Sequence, residues 1–126
     1  MNYTLTVTER QAEIIAQACE ILARLRMGQF DSIHYLAVPD MPTEYMPEFR
    51  EHARALEELL RPMTQVPRDE AWVRETAWDV YQVVRYRLAH DRLGDGEKPG
   101  PYVRYHAPML TGTEPLARME ATRDDA

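Results

Sequence analysis

At 126 residues, 44% of them apolar and 29% charged, the chain has the make-up of one folded domain with a single modest core, too short for two cores and too apolar for disorder throughout. A formal net charge of −6 excludes a general nucleic-acid binder, which needs an excess of Lys and Arg over one face. There is no apolar run of about 18 residues to span a membrane, no basic-then-apolar secretory pattern at the start, and only one cysteine, Cys19, which fits a reducing cytoplasm and is expected as a small buried filler.

Tyr3-Thr-Leu-Thr-Val7 alternates β-favouring residues and predicts a short strand. Thr8 then has the character of an N-cap, and Gln11 three residues later completes a capping box. The first helix is expected from Glu9 to Met27, with Ile14, Ile15, Ala18, Ile21, Leu22 and Leu25 inward and Glu13, Gln17, Glu20 and Arg24 opposite. Gly28 can end it in the left-handed conformation. A shorter helix is expected over residues 29–37, with Phe30 and Ile33 facing inward, and the two prolines within residues 38–46 predict a loop. Pro47 suits the first turn of a third helix running to Arg61, with Phe49, Ala53, Leu56, Leu59 and Leu60 inside.

The fourth and longest helix is expected from Arg68 to Arg92, around the Gly- and Pro-free run Ala71 to Arg92 that holds both tryptophans. Its apolar stripe is Val73, Ala77, Val80, Val84 and Leu88. A helix this long is expected to reach a neighbouring subunit. Gly94 to Pro101 is a loop, and Tyr102 to His106 again has strand character. The expected fold is therefore mainly α with a small β element (α+β): three to four helices around one long helix, and a strand near residues 3–7 pairing with one near 102–106, within or between chains. The domain is placed at residues 1–113, followed by a flexible tail over 114–126.

Catalytic signatures are missing. His34, His52, His90 and His106 show no His-Glu-x-x-His spacing, one cysteine excludes a Cys-x-x-Cys zinc site, and there is neither a Gly-x-Ser-x-Gly elbow nor a Walker-type phosphate loop. His90-Asp91 has the form of the central pair of metal-dependent HD phosphohydrolases, with His52 as an earlier ligand, but no later helix supplies the final aspartate. No metal site and no cofactor are expected. One constellation stands out on the second face of the long helix: Trp78, Tyr81, Gln82, Arg85, Tyr86 and Arg92. Arginine offers a planar fork for phosphate or carboxylate, and aromatics offer stacking faces for a base. The bland alternative is a helix–helix contact in which the aromatics are core and the arginines reach out to water. Composition and spacing leave both open.

Four segments carry a resemblance: Tyr3 to Ala12, the break Arg26-Met-Gly-Gln-Phe30, Val80 to Arg92, and Glu114-Pro-Leu116. Together the chain resembles a family of small, mostly uncharacterised accessory proteins of tailed bacteriophages and prophages, over roughly two thirds of its length. It departs most from that pattern between Val38 and Pro67, and the Gly94–Pro101 loop is locally variable. The resemblance implies a setting in the host bacterial cytoplasm. By analogy with other small phage accessory proteins, it implies a non-enzymatic homo-oligomer that sequesters a nucleotide-like anionic ligand, an anti-defence sponge with a nucleotide second messenger as partner. The alternative is a protein–protein inhibitor or adaptor acting on a host or phage protein, without a small-molecule ligand.

Overall fold

A computed structural model describes residues 1–67, 70–91 and 107–122. Four α-helices follow in order: α1 (Glu9–Arg26), α2 (Ile33–Ala37), α3 (Met46–Thr64) and α4 (Trp72–Asp91). Single 3-10 turns, Phe30–Ser32 and Thr43–Tyr45, lead into α2 and α3.

The expected α+β fold is not what forms. The described residues contain no strand, and the architecture is helical. Tyr3 to Val7 is not part of any sheet; Tyr3 and Leu5 are exposed, and only Val7 tucks against the core. A strand needs a partner and a sheet on which to lie, and the described chain supplies neither. The second strand, expected at 102–106, lies outside the described residues.

The start of α1 follows directly from local chemistry. Thr8 Oγ1 accepts from the Gln11 amide at 3.2 Å while Gln11 Oε1 accepts from the Thr8 amide at 2.9 Å, a complete capping box. Its end is equally specified. Gly28 adopts φ +83°, the Gln29 amide reaches the Arg24 carbonyl at 2.9 Å, and the Gly28 amide reaches that of Leu25 at 3.0 Å. This is a Schellman motif, which satisfies carbonyls that the helix end would leave orphaned.

The core lies between α1 and α4, which form the principal helix contact of the fold. It is built from Ala12, Ala16, Tyr81, Val84 and Leu88, with Ile15, Cys19, Trp78, Val80 and Met119 packed at its edge. Met119 belongs to the C-terminal segment, which therefore contributes to the core. Ala77, Val84 and Leu88 of the expected α4 stripe are buried, while Val73 and Val80 are half-buried.

The face that α1 presents to α4 is centred away from the one expected, although Ile15 of the expected set still packs at the core edge. Ala12, Ala16, Glu20 and Ala23 are buried, whereas Ile14 is 64% exposed and Leu22 is exposed as well. At about 100° per residue, Ile14 and Ala16 point to opposite sides of the helix. The small Ala side chains leave room for the bulky Trp78, Tyr81 and Leu88 of α4, so large-against-small packing decides the orientation. Glu20, buried on this face, is matched by Arg24 at 2.9 Å.

The third helix sits apart from this pair and docks chiefly on the Phe30–Ser32 turn. Glu57 Oε1 accepts from the Phe30 amide at 3.1 Å, and the Phe49 and His34 rings lie 6.2 Å apart. Only Ala53 of α3 is buried. Leu56 and Leu59, expected inside, are exposed, Leu59 to 69%, and Met63 equally so.

Candidate binding face

The α4 surface holds the six residues picked out in the sequence, and the fold uses them in different ways. Trp78 is half-buried, its ring 5.0 Å from that of Tyr81 and inclined by 50°. Tyr81 is a core residue. Its hydroxyl accepts from Arg85 Nη1 at 2.9 Å, and the Arg85 guanidinium carbon lies 4.7 Å from the Tyr81 ring centre. Arg85 is thus folded back along its own helix, in a cation–π contact one turn away. Tyr86 stacks on His90, ring centres 4.2 Å apart. Arg92 lies outside the described residues. The five described residues are used in different ways: two face the core, two pair along the helix, and Gln82 faces a different neighbour.

That neighbour is the C-terminal arm, residues 107–122, which has no regular secondary structure and runs against α4. Gln82 meets Met109 with both ends of its amide: Nε2 donates to the Met109 carbonyl at 3.0 Å and Oε1 accepts from the Met109 amide at 3.2 Å. One turn earlier, Asp79 accepts the Thr111 amide on both carboxylate oxygens, at 3.0 and 3.1 Å, and the Gly112 amide on Oδ2 at 2.9 Å. Asp79 is only 4% exposed. A carboxylate with so little water needs such donors, since unpaired it would carry a large desolvation cost. Asp79 and Gln82, at i and i+3, therefore form a short polar row that holds the arm by its main-chain groups at Met109, Thr111 and Gly112.

Asp79 escaped the sequence reading. Its signal was present: aspartate is an unfavourable residue in a helix interior, and this one sits between Trp78 and Val80 in the middle of the longest helix. What was missing was any local sign of its partners, which lie some thirty residues away.

A second cluster joins α1 to α4. Arg24 lies 5.3 Å from the Trp78 ring centre and 5.9 Å from that of Tyr35, bonds Glu20 at 2.9 Å through Nε, and bonds Gln29 at 3.0 Å through Nη1. Burial alone would lower its pKa. The hydrogen bond to Glu20, with the charge of Glu20 and the nearby Tyr35 and Tyr81, more than offsets that and raises it above the ordinary guanidinium value.

Two open surface depressions lie elsewhere. One follows Pro47, Arg50, Glu51, Arg54, Ala55 and Glu58 along α3, and the other is formed by residues 37–41. Each is lined by a single stretch of chain and opens to solvent, so neither is an enclosed site. Among the described residues, no three His, Cys, Asp or Glu side chains are grouped to hold a metal ion. No described helix is long and apolar enough to cross a membrane.

Fold and site together define a small helical domain whose own arm is strapped across its longest helix. Compared with models of known families, with curated proteins and with solved structures, the chain finds no match.

Proposed function

We propose that the protein works by binding another protein, as an inhibitor or adaptor, and that the large aliphatic side chains left outside its own core are what it binds with. One observation carries this reading: α1 buries Ala12, Ala16 and Ala23 and turns Ile14 and Leu22 outward. The exposed Leu56, Leu59 and Met63 of α3 extend the supply of unburied apolar surface. Fully covering one such side chain is worth about 1.5–3 kcal/mol, so a few of them account for a specific contact. The resemblance to phage accessory proteins would supply the setting, a host or phage partner in the bacterial cytoplasm.

The test is an Ile14→Asp, Leu22→Asp chain set beside the unaltered one. Its melting temperature should stay the same, since neither side chain lies in the core, while a complex that the unaltered chain forms with a host or phage protein should be lost. A complex that survives both substitutions, or a chain that no longer folds, would contradict the reading.

The nucleotide-sequestering alternative draws on a different observation, the Arg24 guanidinium beside the rings of Trp78 and exposed Tyr35. A ligand phosphate there would compete with Glu20, already bonded to Arg24, so this reading stands second. It predicts a melting temperature that rises with a nucleotide or cyclic dinucleotide and a rise that Arg24→Ala removes. No rise with any such ligand would rule it out.

A further inference from the structure

We infer that the Asp79–Gln82 row of α4 is a docking groove for a glycine-bearing segment, and that the arm of a second copy occupies it in place of the chain's own. This stands on the arm contacts and is independent of the apolar side chains of α1 and α3.

Three features carry it. First, the hydrogen bonds that Asp79 and Gln82 make with the arm all go to backbone groups, the amides of Met109, Thr111 and Gly112 and the carbonyl of Met109. Such a groove reads main-chain groups, which its own arm and a copy's present alike. Second, the approach is close at one position. A Cβ on Gly112 would lie 3.1 Å from Glu75 Cβ and 3.5 Å from Asp79 Oδ2, so a larger residue there crowds the occupant against α4. Third, the side chains of Met109 and Leu110, beside the docked backbone, are 72% and 55% exposed. Docking in cis leaves them in water, open to a second copy.

The tether permits either arrangement. The sequence between Asp91 and Ala107 includes Gly94, Gly96, Pro99, Gly100 and Pro101, and a segment of that length can span up to about 50 Å. Exchange keeps every groove contact and adds only the cost of association, which concentration offsets.

The experiment uses two full-length chains. Gly112→Val spoils the arm and leaves the groove intact; Asp79→Asn with Gln82→Ala spoils the groove and leaves the arm intact. Mixed in equal amounts, they should form a complex of about twice 14.7 kDa on a sizing column with light scattering, with neither forming it alone. A mixture that stays as separate chains overturns the inference. So does a complex that either variant forms by itself, since that contact would not depend on the arm. Should the double variant fail to fold by circular dichroism, a labelled peptide of residues 107–122 is titrated into the Gly112→Val chain. Saturable binding, lost when the peptide carries Gly112→Val, supports the inference, and absence of binding overturns it.

Discussion

The amide of Gly112 donates to Oδ2 of Asp79 across 2.9 Å, joining the arm to the middle of α4 at a carboxylate that is almost wholly buried. Because Thr111 donates to the same group, Asp79→Asn removes a charge and turns an NH2 toward groups that are themselves donors. Hydrogen bonds to charged groups contribute about 1.5–3 kcal/mol each. The expected result is a loss of about 2 kcal/mol in denaturant unfolding, the range of one such bond, because asparagine keeps one oxygen that accepts. Faster hydrogen exchange should appear at the amides of Met109, Thr111 and Gly112. Unchanged exchange there would show that the carboxylate does not hold the arm.

Gly28 is the second backbone position with a specific demand. At φ +83°, any residue with a Cβ is strained, and the added atom would meet Thr64 Oγ1 at 3.1 Å. Gly28→Ala should cost about 1 kcal/mol or slightly more, read as a shift of the denaturation midpoint at constant m. The same substitution at an exposed helix position would stabilise, so the sign of the effect isolates the conformation.

Cys19 gives a prediction in pH. Burial pushes its thiol pKa above the ordinary value of 9.0 because the thiolate is the desolvated form. The thiolate is the nucleophile, so alkylation of the folded chain at neutral pH should be slower than that of the unfolded chain, gaining only as pH rises past the ordinary thiol range. The linkage has a definite sign. With the folded pKa raised, the contribution to stability is fully present below pH 9.0 and is lost as pH climbs through the folded value. Equal alkylation rates for folded and unfolded chains at neutral pH would place the sulfur in water.

Much of the helical layout was legible because it is written locally. Thr8 with Gln11 and Gly28 after Met27 fix α1 to within a residue of expectation, and Ala77, Val84 and Leu88 lie in the core as the period of α4 requires. What local signals do not carry is which surfaces meet. Tyr3, Leu5 and Val7 alternate as a strand does, yet no strand forms in the described chain. On α1, hydrophobicity marked Ile14 and Leu22, whereas the fit against Trp78 and Tyr81 favoured Ala12 and Ala16. The same limit applied on the long helix. Residue type marked Trp78, Tyr81 and Arg85, while Asp79 acquires its role only from amides that arrive from the far end of the chain.

That difference on α1 separates two substitutions that hydrophobicity alone would rank alike. Leu88 is buried in the α1–α4 core, so Leu88→Ala removes contacts and leaves a cavity, costing about 2–5 kcal/mol. Ile14 stands on the opposite side of α1 from the buried Ala16 and is largely in water, and a surface change of that kind stays within about 0.5 kcal/mol. Ile14→Asp should therefore leave monomer stability nearly unchanged in dilute denaturant titrations, although Ile14 is one of the most apolar residues of its helix. Repeating the titration at rising protein concentration separates the remaining cases. If a second copy covers Ile14, the unaltered chain gains stability with concentration and Ile14→Asp does not, because association stabilises only a chain that can associate. A loss of several kcal/mol at the lowest concentration would instead put Ile14 inside the fold and return α1 to the orientation its hydrophobicity suggested.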